Sequence, residues 1–500
     1  MGNTPTRPNI LVLITDEHGA QFSGTYGHPF ISTPGMDRLA KEGTTFDAAY
    51  CNNPLCVPSR LSFMTGQYTH NCKGWDNSTP LPLDAVTWPY LLRESGYEVM
   101  LSGKMHLIGP DKLHGFERQL AVDLHADLVH PVYRWKDGIP EANEPWEGVT
   151  RTSSRVPKHG AHIAASEGME NIAETGAGTT PEIEADDLAV DEAIKYLQQQ
   201  SSVPKQKPFA LCVGLIAPHF PFVVPEPFFS QYYPHHADLP NLPDNHLQQL
   251  PKAAQRLRQA FGFWGHTDDE IRRARAAYYG LVSYADNKLE RLLNVLDETG
   301  LADNTIVIHT SDHGEMLGEH GIWRKMSFYE QSARVPLQVR WPGTGNMGQR
   351  IRECCSLVDV TATLIDAAGA SDYCSGLDGE SLRQIIQDPV TGAQKSKDMA
   401  FAEHTAHGTD RARAMLRSGE WKLCMSAGED PEIELYNLEH DPGEFTNRAT
   451  DPSADDVKES LLKSINEQWD GVQVDQEVSA AQDRVNLIRS VSSGDQRPLF

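Results

Sequence analysis

Three uninterrupted apolar runs of strand length constrain the fold of this chain most. "NILVLIT" begins at Asn9, "PFALCVGLIAPH" spans 208–219 and "NTIVIHTSDHGE" spans 304–315. Apolar runs without a polar alternation are typical of strands that are buried on both faces. A long helix is predicted over 267–300, where a Thr-Asp start and a glycine end bound the segment. Strands that alternate with helices predict an α/β fold, with a mostly parallel sheet sandwiched by helices.

The pattern of predicted elements changes after about residue 395. Short strand-like pieces such as "DMAFAEH" and "RAMLRSGEWKLCM" appear, and the helical segment "ADDVKESLLKSINEQWD" follows them. We expect a large α/β domain over 1–395 and a small C-terminal α+β subdomain over 396–470. The polar remainder, 471–500, is predicted to be a C-terminal extension in the form of an extended arm.

Charge and cysteine content exclude several functional classes. With 44 Lys and Arg against 69 Asp and Glu, the formal net charge of -25 argues against nucleic acid and anionic membranes as partners. We expect no transmembrane helix and no signal peptide, because no apolar stretch approaches about 18 residues. The 8 cysteines show neither a metal-binding spacing nor the density of a disulfide framework. A cytoplasmic protein with reduced thiols is therefore expected.

Acidic residues and a histidine follow two of the apolar runs directly. Asp16 and Glu17 follow the first run, and Asp312 and His313 follow the third. Ligands of open α/β sheets bind outside the carboxyl ends of the strands, so these groups are expected to meet there. They predict an oxygen-rich site for one divalent cation, with Ca²⁺ as the first choice and Mn²⁺ or Mg²⁺ as alternatives. The competing interpretation is that each acidic residue only caps the next helix or turn.

Further basic groups fall at similar positions. Lys104 and His106 follow the run "EVMLSG", His219 ends the second long run, and Lys325 lies shortly after Asp312. A lone His or Lys at a strand end is usually a surface residue. Four of them beside a metal site instead predict proton carriers and cationic donors around a substrate.

Four motifs carry a family resemblance. "CVPSR" (56–60) matches the C-x-P-S-R signature of the sulfatases in the alkaline phosphatase superfamily, and "GKMHLIG" (103–109) resembles their Gly-Lys-x-His segment. "SDHGEMLGEHGIWRKMSFYEQSARVPL" (311–337) resembles the segment with the second metal pair and a catalytic lysine. "ELYNLEHDPGEFTNRA" (434–449) resembles the C-terminal subdomain motif. The resemblance covers nearly the whole chain, and it is closest to choline sulfatases.

The resemblance implies a formylglycine made from Cys56 by a formylglycine-generating enzyme. The modified side chain at position 56 would bind the metal and attack the sulfur of a small-molecule sulfate ester. Arg60, one helical turn further on, is expected to stabilise the modified side chain and the sulfate. Residue 56 would stand at a helix start, where partial positive charge favours anions.

Four other residues take roles from the resemblance. Lys104 and Lys325 neutralise the sulfate, and His219 assists the leaving alcohol together with Lys325. His106 is the base that releases sulfate.

The alcohol part of the substrate is where the chain departs from choline sulfatases. At the positions where those enzymes hold the ammonium with an aromatic and an acidic residue, this chain has His130 and His407. We expect two segments to contact the alcohol, "VDLHADLVHPVYRW" (122–135) and "EHTAHGTDRARA" (403–414), and the second also carries His404, Arg411 and Arg413. Positive charge there would repel choline, so we expect an aryl or carbohydrate sulfate to be the better substrate. The competing interpretation is that these arginines are exposed surface residues with no role in binding.

Two other functions remain open from the sequence. A phosphonate monoester or phosphodiester hydrolase could use the same site, because His in place of Asn at position 313 also occurs in phosphonate monoester hydrolases. Glu17 is a second departure, where many sulfatases have Asp or Gln. A non-catalytic binding protein on a sulfatase fold is disfavoured by the intact "CVPSR" motif. The oligomeric state also stays open, with a homo-oligomer as one option.

Overall fold

The computed structural model describes residues 7–125, 172, 175–202, 207–261, 263, 265–345, 347–370 and 376–492. The α-helices in these ranges are Pro34–Glu42, Cys56–Thr65, Thr69–Cys72, Trp88–Glu94, Pro181–Ser202, Glu226–Phe229, His246–Gln249, Lys252–Phe261, Asp268–Glu298, Glu330–Ala333, Leu357–Ala367, Arg383–Gln387, Pro389–Lys395, Asp455–Gln468 and Gly471–Ser492. Among the described residues, no helix combines the length and the apolar character that a membrane crossing requires.

An eight-stranded sheet forms the centre of the described chain. Its strands are, in chain order, β1 (Asn9–Asp16), β2 (Thr44–Phe46), β3 (Glu98–Gly103), β4 (Arg118–Gln119), β5 (Phe209–Pro218), β6 (Thr305–Ser311), β7 (Leu337–Arg340) and β8 (Gln349–Ile351). Across the sheet the order is β8-β2-β7-β6-β1-β5-β3-β4. All neighbours are parallel except β7, which pairs antiparallel with both β2 and β6. The predicted mostly parallel sheet is confirmed.

Helices cover both faces of this sheet. Along β1, Leu11 and Leu13 enter one buried cluster, which also holds apolar residues of the helix Asp268–Glu298. The alternate residues of β1, such as Val12, enter a second cluster with residues of the helices Cys56–Thr65 and Leu357–Ala367. Because every residue of β1 is buried on one face or the other, the strand reads as a continuous apolar run.

Two pairs of short strands complete the large α/β region. Ala49–Tyr50 pairs with Cys355–Ser356, and Gly176–Ala177 pairs with Val223–Val224, both in parallel.

The C-terminal part of the described chain contains a second sheet, of four antiparallel strands. These are β9 (Met399–His404), β10 (Arg413–Ser418), β11 (Trp421–Ser426) and β12 (Ile433–Asn437), in that order.

The C-terminal segment differs from its prediction. An extended arm was expected from residue 471, but Gly471–Ser492 is an α-helix. Val474 and Val478, one turn apart, are buried in the same apolar cluster as residues of the small sheet. Asp475 also accepts a hydrogen bond from the backbone N of Ala412, at 2.6 Å. This narrow packing stripe holds the helix although most of its sequence is polar.

A buried lysine joins the small sheet to the large domain. Lys422 on β11 is fully buried, and its Nζ donates to the carbonyl of Phe328 at 2.7 Å. Its Nζ also lies 3.0 Å from Glu330 Oε1 and 2.5 Å from Glu444 Oε1. Two carboxylates and one carbonyl therefore surround a single buried ammonium group.

Replacing this lysine by methionine should destabilise the protein strongly. Lys422→Met takes the shared cation from two buried carboxylates, of which Glu330 keeps an ion pair with Arg334 at 3.4 Å. Breaking a buried ion pair costs about 3–5 kcal/mol in comparable cases. The free energy of unfolding from chemical denaturation measures the effect. Lys463→Met is the control, because Lys463 is 77% exposed and should change stability by no more than about 0.5 kcal/mol. Equal effects of the two changes would contradict a joining role for Lys422.

Candidate active site

The carboxyl ends of four neighbouring strands bring the predicted polar residues together. Asp16 is the last residue of β1, and Asp312 and His219 directly follow β6 and β5. Lys104 follows β3, and its Nζ lies 2.6 Å from Asp16 Oδ2. The strand order β6-β1-β5-β3 makes these residues neighbours although they are far apart in sequence.

A glycine on the adjacent strand sets the position of Lys104. The backbone N of Lys104 donates to the carbonyl of Gly214 at 2.9 Å. A Cβ at position 214 would lie only 1.7 Å from the carbonyl oxygen of Lys104. A residue with a side chain cannot occupy position 214 while Lys104 keeps this place.

One buried group of side chains has the composition of a metal site. Ligand atoms of Asp16, Cys56, Asp312 and His313 lie within 4.8 Å of one another, and all four residues are buried. His313 Nδ1 lies 3.0 Å from the carbonyl of Gly314, to which it donates, so Nε2 remains as the ligand atom. Burial is the main cause that lowers the pKa of His313, and the neutral ring it favours is the form that binds metals.

Glu17 borders this group on the side of His219. Its Oε2 lies 3.1 Å from His219 Nε2 and 3.2 Å from Lys325 Nζ. Burial raises the pKa of Glu17 to about 8, and the nearby Glu315 carboxyl adds to this effect against the charge of Lys325. Asp16, Glu17 and His219 also hold ligand atoms within 4.8 Å of one another. The two groups share Asp16, and carboxylate oxygens beside an imidazole fit a hard divalent cation.

Arg60 holds the carboxylates of the candidate metal site in place. Its guanidinium is fully buried and donates from Nε to Asp312 Oδ2 at 2.8 Å and from Nη2 to Asp16 Oδ2 at 3.0 Å. Its Nη1 donates to the carbonyl of Lys104 at 3.1 Å. These contacts support a positioning role for Arg60, and its expected contact with the modified side chain and the sulfate stays a prediction. Although burial raises the pKa of Asp16, the surrounding charges, led by Lys104, hold it well below its ordinary value.

Cys56 begins the helix Cys56–Thr65 and faces this group. The preceding Leu55 is extended, and Cys56 Sγ lies 3.2 Å from His313 Nε2 and 3.8 Å from Asp16 Oδ1. Cys56 is only 2% exposed, and burial is the main cause that raises the pKa of its thiol to about 12. The unmodified side chain is therefore a neutral thiol.

A cleft opens onto Cys56. Its lining residues are Leu55, Cys56, Asn77, Lys104, His106, His125, His219, Phe220, Phe261, Arg324, Lys325, Met326 and His407. His106 and His125 are placed by one carboxylate, because Asp123 accepts from the backbone N of each, at 2.6 Å and 2.8 Å. The rings of His106 and His125 are 5.6 Å apart.

Sequence reasoning missed several of these lining residues. Asn77, Phe261 and Arg324 follow no apolar strand, and they belong to none of the residues assigned from the motifs. His125 lies in the predicted segment 122–135 but was not named individually, and Arg324 directly precedes the predicted lysine at position 325.

The structure corrects part of the predicted substrate pocket. His407 lines the cleft, and its ring lies 5.9 Å from that of Phe261. His130 lies outside the described residues. Arg411 does not line the cleft, because its guanidinium lies 3.6 Å from Asp410 and 3.5 Å from the carbonyl of Ala427.

The prediction that His404 and Arg413 present positive charge to the substrate is also wrong. Burial is the main cause that lowers the pKa of His404 to about 3, so this ring is neutral. Arg413 is paired with Glu434 in a buried ion pair. Neither residue presents an unbalanced charge to a substrate.

Comparisons with known proteins find similar sequences over most of the chain. The profile of the family described as "Sulfatase" matches residues 8–370, and the profile described as "N-sulphoglucosamine sulphohydrolase, C-terminal" matches 318–470. A choline-sulfatase of Rhizobium meliloti (strain 1021) is 32% identical over 457 residues, which cover 90% of this chain and 84% of that protein.

Two solved structures share the fold. The structure of BT4656 in complex with its substrate D-glucosamine-2-N,6-O-disulfate has a TM-score of 0.70 and 24% identity, covering 95% of this chain and 99% of that one. The phosphonate monoester hydrolase of Agrobacterium radiobacter has a TM-score of 0.70 and 23% identity, covering 95% of this chain and 96% of that one.

Proposed function

This chain belongs to the sulfatase family and hydrolyses sulfate esters, and we propose that it does so with a formylglycine made from Cys56 and one divalent cation. The observation that carries the proposal is the buried convergence of residue 56 with Asp16, Asp312 and His313. Glu17 is the further candidate ligand. Ca²⁺ remains the first choice among hard cations, with Mn²⁺ and Mg²⁺ as alternatives.

When present, the hydrated formylglycine supplies a hydroxyl nucleophile and the cation supplies a Lewis acid beside it. Lys104 and Lys325 flank the same position and would neutralise the oxygens of the sulfate. Burial alone would lower the pKa of Lys325, but in the unmodified chain the neighbouring acidic groups Cys56, Glu17 and Asp16 raise it. Glu17 and Asp16 remain when Cys56 is converted to formylglycine and keep the ammonium charged.

We assign proton transfer to two histidines that line the cleft, His219 and His106. His219 Nδ1 donates to the carbonyl of Phe220 at 2.6 Å, so its Nε2 is the atom left for the leaving alcohol. Burial is the main cause that lowers the pKa of His219. The negative charge of a bound sulfate ester would raise this pKa and place on Nε2 the proton that the alcohol receives. We assign to His106 the proton acceptance at the hydroxyl of residue 56 that releases sulfate.

Removing His219 should affect poor leaving groups far more than good ones. His219→Ala should lower kcat for an alkyl or sugar sulfate by about a hundredfold, because the departing alkoxide then lacks a proton donor. The same variant should lower kcat for 4-nitrophenyl sulfate by less than about tenfold, since nitrophenolate departs without a proton. An equal loss for both substrates would contradict the assignment to the leaving group.

The burial of "CVPSR" limits when a formylglycine-generating enzyme could act on Cys56. Cys56 is 2% exposed and Arg60 is fully buried, so a formylglycine-generating enzyme would have to read "CVPSR" before the chain folds. We also propose a cytoplasmic location, supported by the seven described cysteines, all of which are free. Fractionation of the native host tests the location.

A panel of matched esters tests the reaction itself. Protein produced with a formylglycine-generating enzyme and loaded with Ca²⁺ should turn over 4-nitrophenyl sulfate with a higher kcat/KM than 4-nitrophenyl phosphate or a phenylphosphonate monoester. The phosphonate reaction is the second candidate, favoured by His313 at the metal group. A higher kcat/KM for the phosphonate would make that reaction the main one.

A further inference from the structure

The strand β5 is irregular just before His219. The register of β1 and β5 passes from the pair Ile14 and Gly214 to the pair Asp16 and Pro218, so β5 has two more residues than β1 over this stretch. Such an insertion is a β-bulge, which disrupts the hydrogen bonds of the ladder locally and redirects the chain. The shape of the bulge therefore aims the residue that follows β5, and that residue is His219.

One buried carboxylate binds the backbone of this bulge. Asp186, on the helix Pro181–Ser202, accepts with Oδ1 from the backbone N of Ile216 at 2.7 Å and with Oδ2 from that of Ala217 at 2.8 Å. Asp186 is 1% exposed, so both contacts are shielded from solvent. Hydrogen bonds from backbone N–H groups to a carboxylate are stronger than those between neutral groups. Both oxygens of one side chain therefore fix the bulge.

The bulge in turn fixes the backbone of His219. The backbone N of His219 donates to the carbonyl of Ile216 at 2.9 Å, so the residue that Asp186 Oδ1 binds also binds His219. At the far end of the histidine ring, Nε2 lies 3.1 Å from Glu17 Oε2 in the candidate active site. A misplacement of about 1 Å can cost about a hundredfold in rate, so the support of this backbone matters for the reaction.

We infer that Asp186 is a positioning residue for the departure of the alcohol, and that it acts by holding His219 through the bulge of β5. The inference rests on the proposed function, because it concerns the proton that His219 gives to the alcohol. Asp186 is not among the described residues that line the cleft. Its effect on the reaction therefore has to pass through the residues that it holds.

A second buried aspartate provides a matched control. Asp286 is 3% exposed and also accepts from two consecutive backbone N–H groups, those of Gly35 and Met36, at 2.8 Å and 2.7 Å. Burial is the main cause that raises the pKa of both aspartates to about 7, so a given pH ionises them to the same extent. Asp286 holds the start of the helix Pro34–Glu42, no residue of which lines the described cleft. Asparagine at either position can accept with only one side-chain oxygen.

Asp186→Asn should lower kcat for a poor leaving group more than for a good one. The ester with the poor leaving group is choline sulfate or N-acetylglucosamine 6-sulfate, whichever the parent hydrolyses faster, and the ester with the good one is 4-nitrophenyl sulfate. We expect a loss of about tenfold for the first and of less than about threefold for the second, since nitrophenolate departs without a proton. Asp286→Asn should lose a similar amount of Tm and keep both kcat values within about threefold.

Two outcomes of this comparison would overturn the inference. The first is an unchanged kcat for the poor leaving group in folded Asp186→Asn. The second is an equal loss for both esters, which would indicate an effect on the sulfate through the charge of Lys104, a charge that also acts on Asp186.

A double variant separates positioning from a general loss of structure. If Asp186 acts through His219, adding Asp186→Asn to His219→Ala should lower kcat for the poor leaving group by less than about threefold further, because the positioned group is already gone. A further loss of about tenfold would refute the inference. If Asp186→Asn does not fold, Asp186→Glu, which keeps the charge but moves the carboxylate by one methylene, replaces it in both comparisons.

Failure of the proposed function gives a different result. If protein with confirmed formylglycine and bound Ca²⁺ hydrolyses none of these esters, the proposed function fails, but the placement of His219 can be measured without turnover. The ring signals of His219 in NMR spectra, assigned by their loss in His219→Ala, should shift in Asp186→Asn and stay in place in Asp286→Asn. Unchanged signals in Asp186→Asn would refute the positioning role.

Discussion

Replacement of Cys56 by alanine should lower kcat for every sulfate ester by about 10⁴-fold or more. The change removes the only group that the proposed reaction uses as a nucleophile, and losses of this size follow the removal of nucleophiles in other enzymes. The fold should survive, because only one buried sulfur atom is lost, at a cost of about 1 kcal/mol. Steady-state kinetics and thermal unfolding measure the two effects side by side.

Mass spectrometry of the peptide that contains residue 56 completes this test. The active protein should carry an aldehyde or its hydrate in place of the thiol. Cys72→Ala is the matched control, because Cys72 is also buried. Its Sγ lies 4.0 Å from Ser62, which is on the same helix as Cys56. It should lose stability to a similar extent and keep its activity. An unmodified thiol at position 56 in a fully active preparation would refute the proposal.

The sequence was sufficient to predict which residues end the buried strands. Asp16, Asp312 and His219 could be named because apolar runs mark the strands, and parallel strands deliver their next residues to one edge. The order of the strands was not readable, because pairing of β1 with β5 and β6 is a long-range choice that no local pattern encodes.

Contacts outside the regular strands and helices were the hardest to predict. The motif gave no sign that two carboxylates from different strands bind the guanidinium of Arg60. His125 and Arg324 reach the cleft through loops held by Asp123 and Glu315, and such carboxylate-to-backbone contacts leave no periodic signal. The helix Gly471–Ser492 was misread because its packing against the small sheet outweighs its polar composition.

Asparagine at position 312 should remove the metal ion and lower kcat by about 10³-fold or more. Asp312→Asn keeps the shape of the side chain but removes the negative charge that a divalent cation requires. It also takes one of the two carboxylates from Arg60, whose Nε donates to Asp312 Oδ2 at 2.8 Å. Metal analysis of the purified protein should show about one Ca²⁺ per chain in the parent and almost none in the variant.

Asp303→Asn is the matched control for the metal experiment. Asp303 lies at the opposite end of β6 from Asp312 and is exposed, so its loss should change neither metal content nor kcat. Since Asp312→Asn also weakens the surroundings of a buried arginine, thermal unfolding with and without Ca²⁺ separates binding from folding. Ca²⁺ should raise the Tm of the parent and of Asp303→Asn, because a ligand that binds only the native state stabilises it. It should leave the Tm of Asp312→Asn unchanged. A normal metal content and a normal kcat in that variant would exclude Asp312 as a ligand and move the site to the group of Asp16, Glu17 and His219.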